Sequence, residues 1–362
     1  MAAANSKRGA IGIVATIAAL ALCQPANADP ASDWLCAWGF GSCPQPAKAD
    51  CGSLTAVADF GENPGKLEMC FHSPSGLEAN RPLVIALHGC RQQATDYGEG
   101  AGWIKLADEY RFPLLLPQQT PANNQSRCFN WFEPKDVKRH DAGGAVGEAA
   151  SIWAMVQKIR ADYKSDPKEI YVAGLSAGGA MAVALLAAYP ELEGAGVAAG
   201  LPYGCARDVL GAYSCMNGGV EKTPQEWGDL VRAAASGRVA GQGKRKISIW
   251  QGAADTTVNP KNADELVKEW TNVLGIGQTP AKIAAVHGAV YEGYADANGT
   301  ILVEKYLVPD ANHGVEVDAA QGCGVAGPWI LDKGICSSRL ILKFWGLSAP
   351  EARSEHSESH AR

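Results

Sequence analysis

The stretch "YVAGLSAGGAMAVALLAAYP", residues 171–190, decides the fold, because a strand-like run passes through a glycine-rich turn directly into a helix pattern. Residues 169–176 form a mainly apolar run of strand length, and residues 177–189 consist largely of alanine and leucine, which favour helix. Ser176 stands between them, among glycines. The stretch predicts a βα unit and leaves open whether Ser176 is a nucleophile or only a small residue in a tight turn.

Further apolar runs of strand length occur on both sides of this unit. They span residues 81–89, 112–118, 246–252 and 301–309. Apolar residues recur every three to four positions over residues 147–163 and 262–274, as in amphipathic helices. Strands that alternate with helices predict an α/β fold with a mostly parallel sheet covered on both faces.

Residues 1–28 are predicted to be a secretory signal peptide. Lys7 and Arg8 precede an apolar run over residues 10–22, and the small residues ANA at 26–28 form a cleavage signal. A membrane-spanning helix needs about 20 apolar residues, so this shorter run does not predict a membrane anchor.

The mature chain is expected to have three parts. Residues 29–50, rich in proline, alanine and tryptophan, form an N-terminal extension, and residues 51–347 form the α/β body. Residues 348–362 are polar, lack apolar periodicity and are predicted to be disordered. Within the body, residues 203–243 fit the alternation of strands and helices poorly and are a candidate cap or lid.

The charge of the chain argues against nucleic acid as a partner. The formal net charge is −6, and without residues 1–28 the chain has 30 basic against 38 acidic residues. Such a surface lacks the basic footprint that nucleic acid and anionic membranes attract.

Cysteine usage fits an exported protein. Of eleven cysteines, Cys23 lies in the predicted signal peptide, which leaves ten for up to five disulfides formed in a periplasm or outside the cell. There is no CxxC pair and no clustered Cys/His spacing, so neither a metal nor another cofactor is predicted. The predicted pairs are Cys205–Cys215, Cys323–Cys336 and Cys90–Cys128.

The residues from Gly174 to Gly178 match the G-x-S-x-G nucleophile elbow, in which flanking glycines let the backbone approach closely around the exposed serine. The strand before it and the helix after it supply the context that the motif requires. The pattern favours an α/β-hydrolase fold with Ser176 as nucleophile. The alternative is a Gly/Ser turn inside any α/β unit.

A serine of this kind needs a base, and in this fold the acid and then the histidine follow it in the chain. His313, in "PDANHGVEVD", follows the last predicted strand closely. Three of the other histidines precede Ser176, two lie in the polar tail, and His287 lies before the last strand. His313 is therefore the predicted base.

Asp255 is the predicted acid, because it lies just beyond the strand over residues 246–252, at the carboxyl end where sites of open α/β sheets collect. The rival acids are Asp264, Asp296 and Asp310.

The oxyanion hole needs two backbone N–H groups. Ala177 is predicted to supply one as the residue after the nucleophile. The loop "ALHGCRQ", residues 86–92, is predicted to supply the second from Cys90, with Gly89 allowing the turn and His88 shaping the loop.

In these residues and the stretches around them, the chain resembles the catalytic domain of extracellular poly(3-hydroxybutyrate) depolymerases in which the oxyanion segment precedes the lipase box. The matching stretches run in the expected order over residues 81–347. They are "LVIALHGCRQ", "CFNWFEPKDVKRH", "EIYVAGLSAGGAM", "ISIWQGAADTTVNPKNADELVKEW", "ANHGVEVD" and "GCGVAGPWILDKGICSSRLILKFWGL".

The resemblance implies a secreted or periplasmic serine esterase with Ser176, Asp255 and His313 as catalytic residues. It also implies that Trp131, within CFNWF, forms an apolar wall beside the site, although a core tryptophan is an open alternative. Trp329 is a further substrate-binding candidate of the same kind.

Two other functions stay open from the sequence. Feruloyl and acetylxylan esterases belong to the same superfamily, and an inactive relative that only binds polymer is a second alternative. Depolymerases that attack solid polymer usually carry a separate polymer-binding domain after the catalytic body, and this chain has fifteen residues after Leu347. The expected substrates are therefore oligomers or amorphous polymer.

Overall fold

A computed structural model describes residues 51–139, 146–235 and 245–349. The predicted signal peptide, the N-terminal extension, part of the candidate lid and nearly all of the predicted tail lie outside these described residues. Among the described ranges we find no helix with both the length and the apolar character needed to span a bilayer.

The strands of the described residues are short and mostly buried. They are β1 (Thr55–Val57), β2 (Glu68–His72), β3 (Leu83–Leu87), β4 (Leu114–Gln118), β5 (Ile170–Leu175), β6 (Gly194–Ala198), β7 (Lys246–Gly252), β8 (Lys282–Val286), β9 (Ala289–Ala295), β10 (Ile301–Val308), β11 (Val315–Val317) and β12 (Ile330–Asp332).

The helices connect these strands across the faces of the sheet. They are α1 (Ala94–Gly100), α2 (Trp103–Tyr110), α3 (Gly147–Tyr163), α4 (Ala177–Ala188), α5 (Val209–Met216), α6 (Pro224–Ala234), α7 (Lys261–Leu274) and α8 (Ser337–Trp345).

Ten of the described strands form one sheet in the order β1-β2-β4-β3-β5-β6-β7-β10-β9-β8. The neighbours from β4 to β10 pair in parallel, whereas β1, β2, β9 and β8 pair antiparallel at the two edges. Strands β11 and β12 form a small separate parallel pair. The predicted mostly parallel α/β sheet is confirmed, and its parallel centre brings the carboxyl ends of β3, β5, β7 and β10 to one edge.

The continuous apolar runs of the sequence arise because both faces of the central strands are covered. In β3, Leu83 and Ile85 pack into the apolar cluster on one face, and Val84 and Ala86 pack into the cluster on the other. Successive side chains of a strand point to opposite faces, so a strand buried on both sides has no polar position.

The helix patterns of the sequence are also confirmed. The predicted helix over residues 147–163 is α3, and the one over 262–274 is α7, which begins one residue earlier at Lys261. Every residue of α4 is buried. This explains its lack of a polar face, since the helix is enclosed by the sheet and by neighbouring helices.

The described part of the candidate lid, residues 203–235, contains α5 and α6. Trp227 of α6 is fully buried and its indole N–H donates to Glu265 Oε2 at 2.6 Å, which holds α6 against α7. Met216, at the end of α5, packs into a third apolar cluster that also contains Trp131. The role of this segment as a cap or lid stays a prediction.

The described cysteines form four disulfides. Three of them, Cys90–Cys128, Cys205–Cys215 and Cys323–Cys336, coincide with the predicted pairs. The fourth, Cys51–Cys70, ties the start of the described chain to β2 and was not among the predicted pairs.

Candidate active site

Ser176 occupies a strained turn between β5 and α4. Its φ angle is 57° and its ψ angle is −119°, a region that residues with a side chain rarely adopt. The turn is held because the Ser176 N–H donates to the Ala198 carbonyl at 2.8 Å, while the Ser176 carbonyl accepts from Ala180 N–H at 2.9 Å. This is the strand–turn–helix geometry of a nucleophile elbow.

The two glycines of the motif are required by close backbone packing. A Cβ atom at Gly178 would overlap the carbonyl oxygens of Leu87 and His88, at the end of β3. A Cβ atom at Gly174 would overlap the backbone of Gly178 itself. The motif therefore presses the start of α4 against both its own strand and the neighbouring strand.

The predicted base and acid are hydrogen-bonded to each other. His313 Nδ1 lies 2.8 Å from Asp255 Oδ2, and both side chains are almost completely buried. The Asp255 carboxylate also accepts from Gln251 Nε2 at 3.0 Å and from the N–H groups of Thr257 and Val258 at 2.8 and 2.9 Å. Because four donors surround it, this buried carboxylate is fully hydrogen-bonded and fixed in orientation.

The loop that carries Asp255 packs directly on the loop that carries His313. Gly252, at the end of β7, has no space for a side chain because the carbonyl oxygens of Ala311 and Asn312 lie against it. Ala254 N–H also donates to Ala311 at 2.9 Å. Contacts between the two backbones therefore set the distance between the acid and the base.

The loop after β3 has a buried histidine at its base. His88 Nδ1 lies 2.7 Å from the Gly89 carbonyl oxygen, and its Nε2 accepts from the Gln119 N–H at 3.1 Å. Burial lowers the pKa of His88 to about 4, so the ring is neutral and carries its proton on Nδ1. His88 thus supports the loop.

The two predicted oxyanion donors are free to bind a substrate. Cys90 and Ala177 both line the cavity that contains Ser176. Within the part of the chain that the structure describes, neither backbone N–H has a hydrogen-bond acceptor. Ala177 is also the first residue of α4, where unpaired N–H groups favour negative charge.

A cavity of about 430 Å³ opens at the carboxyl edge of the sheet and is lined by six of the seven predicted site residues, all except Asp255. Ser176 and His313 both contact the cavity, and Asp255 lies behind His313, to which it is hydrogen-bonded. Much of the lining is apolar. The main apolar lining residues are Trp131, Leu175, Leu201, Met216, Val258, Pro328, Trp329 and Leu331, with the Cys90–Cys128 disulfide.

Trp131 and Trp329 both contact the cavity, but their settings differ. Trp131 is 93% buried and packs edge-on against Phe132, so it is both wall and core. Trp329 is half-buried and has a φ angle of 59°, and its carbonyl accepts from Val315 N–H at 3.0 Å. The small β11–β12 pair therefore places Trp329 close to His313.

The rival acids lie elsewhere. Asp264 is exposed and pairs with the buried Lys305, and Asp296 accepts N–H bonds within the turn between β9 and β10. Asp310 precedes the base in the chain, but its carbonyl accepts from Lys333 Nζ and its side chain is not part of the cavity lining.

Several site residues were not predicted from the sequence. Gln251 fixes Asp255, and Asn312 Oδ1 accepts from His313 N–H at 2.8 Å. Gln92 joins both sides of the cavity, since its Oε1 accepts from Gly89 N–H at 2.9 Å and its Nε2 donates to the Pro328 carbonyl at 3.3 Å. For Asn312, its place directly beside the predicted base was the one available signal.

Among residues 51–139, 146–235 and 245–349, we find no group of three or more His, Cys, Asp or Glu side chains arranged to bind a metal ion.

Comparison with known proteins agrees with this geometry. The family model described as Esterase PHB depolymerase matches residues 67–292. Poly(3-hydroxyalkanoate) depolymerase C of Paucimonas lemoignei is 47% identical over 299 residues, which cover 82% of this chain and 70% of that protein.

More distant relatives include feruloyl and acetylxylan esterases. Feruloyl esterase B of Neurospora crassa is 33% identical over 261 residues, covering 70% of this chain and 85% of that protein. The solved acetyl xylan esterase from Aspergillus awamori shares the fold, with a TM-score of 0.68 and 24% identity over 82% of this chain and 100% of that one. The chain is a carboxylic ester hydrolase with the α/β-hydrolase fold, and it belongs to the PHB depolymerase esterase family.

Proposed function

We propose that the chain hydrolyses poly(3-hydroxyalkanoate) esters through an acyl-enzyme on Ser176, with His313 as general base and Asp255 as the orienting acid. One observation carries the proposal. Asp255 is buried, accepts four hydrogen bonds and orients His313, and His313 lines the same cavity as the strained Ser176.

Each step of the reaction uses a group in this cavity. The Asp255 carboxylate accepts a hydrogen bond from the Nδ1–H group of His313, which leaves Nε2 unprotonated. Nε2 takes the Ser176 hydroxyl proton as the serine oxygen bonds to the ester carbonyl carbon. The carbonyl oxygen becomes an oxyanion, and the N–H groups of Cys90 and Ala177 stabilise it.

The intermediate then collapses to an acyl-serine. The bond between the carbonyl carbon and the leaving oxygen breaks, and His313 returns its proton to that oxygen, which becomes the free hydroxyl of the leaving chain. Water attacks the acyl-serine by the same route, which releases the carboxylic acid and restores Ser176.

The apolar cavity supports a polyester substrate. Aliphatic ester units carry methyl and methylene groups and no charge, which suits walls such as Trp131, Met216 and Trp329. The depolymerase from Paucimonas lemoignei is the relative with 47% identity, whereas the named feruloyl esterase is 33% identical. Hydrolysis of feruloyl or acetylxylan esters is the second candidate, because these relatives share the family.

We also propose that the enzyme acts in an extracellular or periplasmic compartment. The disulfides that link the described cysteines support an oxidising environment.

The decisive experiment compares wild type with Ser176→Ala. Wild type is expected to react with a fluorophosphonate probe and to release product from amorphous poly(3-hydroxybutyrate) and 3-hydroxybutyrate oligomers faster than from methyl ferulate or acetylated xylan. Ser176→Ala should lose both labelling and hydrolysis while its thermal unfolding stays cooperative. Hydrolysis by the alanine variant would overturn the nucleophile, and faster release from methyl ferulate would overturn the polyester substrate.

A further inference from the structure

A buried carboxyl outside the cavity is connected to the segment that forms one cavity wall. Glu148, in the first turn of α3, is fully buried. Its Oε2 accepts from Asn130 N–H at 2.8 Å, and its Oε1 accepts from the side-chain amides of Asn130, Gln119 and Asn123 at 2.6, 2.7 and 2.8 Å. Asn130 belongs to the wall segment, which we define as residues 128–132.

The same carboxyl is connected to the oxyanion loop, which we define as residues 88–92. Gln119, which donates to Glu148 with its side chain, donates its backbone N–H to His88 Nε2 at 3.1 Å. The Gln119 side chain also donates to the Cys128 carbonyl at 2.9 Å. Gln119 therefore touches the carboxyl, the wall segment and the oxyanion loop at once.

Two further links hold the oxyanion loop on the cavity side, one to the wall segment and one to Ser126, two residues before it. The Cys90–Cys128 disulfide connects the loop and the wall segment covalently, and Arg91 N–H donates to the Ser126 carbonyl at 2.7 Å. The hydrogen bonds around Glu148 and Gln119 join the same two segments on the side away from the cavity, since Glu148 is not part of the cavity lining. The oxyanion N–H of Cys90 thus belongs to a segment that is held from both sides.

The contacts of Glu148 need a carboxylate. All four partners are N–H donors, so an amide in its place would direct its own NH₂ group at a donor. A buried donor without an acceptor costs about 1–3 kcal/mol, which favours movement of the segment that carries it. The four N–H donors favour the carboxylate, so they oppose the rise in the pKa of Glu148 that burial and the nearby Asp136 cause.

We infer that Glu148 is a positioning residue for ester hydrolysis, which holds the wall segment against the oxyanion loop so that the Cys90 N–H and the Trp131 ring keep their places relative to Ser176. The inference rests on the proposed function, because it assumes that Cys90 N–H stabilises an oxyanion. A displaced donor weakens binding of the transition state more than binding of the ester itself.

The test measures kcat and KM separately on p-nitrophenyl butyrate, a short soluble ester, for wild type, Glu148→Gln and the control Glu304→Gln. Glu304 is also a buried carboxyl, but it lies within β10 and accepts from Ser248 Oγ at 2.7 Å. We expect Glu148→Gln to lose about 10- to 100-fold in kcat with KM changed less than about threefold, and Glu304→Gln to keep kcat within about twofold.

The outcomes separate this inference from the proposed function. If wild type and Ser176→Ala are equally active on the short ester, the proposed nucleophile is wrong. If wild type depends on Ser176 and Glu148→Gln keeps its kcat, or if Glu304→Gln loses as much, the positioning role of Glu148 is wrong.

If Glu148→Gln does not fold, a second variant tests the same inference. Asn130→Ala removes one amide contact to Glu148 and leaves the carboxyl in place. It is expected to lower kcat about tenfold at nearly constant KM, and an unchanged kcat in the folded variant would overturn the inference.

Discussion

The Nδ1 atom of His313 lies 2.8 Å from Oδ2 of Asp255, although 58 positions separate the two residues in the chain. The loops after β7 and β10 bring them together, because these parallel strands are neighbours and end at the same edge of the sheet. Gly252 lets the loops touch through their backbones. The relationship therefore depends on backbone packing as well as on the two side chains.

Asp255→Asn is expected to lower kcat on a soluble ester by about 10³- to 10⁴-fold, because an amide can donate to His313 Nδ1 and favour the wrong imidazole tautomer. Fluorophosphonate labelling should slow in parallel while unfolding by urea stays cooperative. The control is Asp264→Asn, at an exposed acid that pairs with Lys305. Equal losses in the two variants would contradict the role of Asp255.

The central strands and the residues at their ends could be predicted from the sequence because their signals are local. The apolar runs predict buried strands, and the position of Asp255 just after β7 and of His313 after β10 follows from chain order. Strand β6, with the sequence GAGVA, was missed because glycine and alanine carry weak strand preference, yet pairing with β5 and β7 imposes the conformation.

The residues that support the site were missed for a different reason. Gln92 connects Gly89 with Pro328, a partner 236 positions away, and Glu148 accepts from Gln119, Asn123 and Asn130, which lie 29, 25 and 18 positions before it. No spacing rule joins such partners, because the fold alone makes them neighbours. A glutamate in the first turn of an amphipathic helix is typical of an exposed acid, and only the structure shows that Glu148 is buried.

Gly178→Ala is expected to destabilise the protein by about 3 kcal/mol or to prevent folding, because its Cβ would overlap the carbonyl oxygens of Leu87 and His88, which are part of the backbone and have no rotamer to change. The control is Gly277→Ala, where nothing lies within 4 Å of the added Cβ. Urea unfolding measures the free energy of unfolding of both variants. A Gly178→Ala protein as stable as wild type would show that the approach of α4 to β3 is looser than described.

Trp329→Ala is expected to raise KM for soluble 3-hydroxybutyrate oligomers about tenfold, with a smaller change in kcat, because the ring supplies apolar wall at the cavity but no proton or charge. The KM of Trp329→Phe should lie between those of wild type and Trp329→Ala. Trp153→Ala is the control, since Trp153 is also partly buried and stacks on Tyr189, away from the cavity. A similar rise in KM for the control would mean that general loosening, and not the wall, explains the effect.

The pH dependence of stability should contain a contribution from Glu304. Burial raises the pKa of Glu304 from 4.5 to about 7, so between these values the folded state binds a proton that the unfolded state has released. The stabilising contribution is fully present below about pH 4.5 and is lost as the pH rises through about 7.

Glu304→Gln removes this titration. The free energy of unfolding of wild type is expected to fall by up to about 3 kcal/mol more than that of Glu304→Gln between pH 5 and pH 8, as measured by urea titration at each pH. The pKa values of the buried carboxyls of Glu148 and Glu316 are also raised by burial, and their effect is the same in both proteins, so it cancels in the difference. Glu78→Gln, at an exposed carboxyl, should follow wild type. Parallel stability curves for wild type and Glu304→Gln would mean that Glu304 is already ionised in the folded protein at pH 5, and that the hydrogen bond from Ser248 outweighs the effect of burial on its pKa.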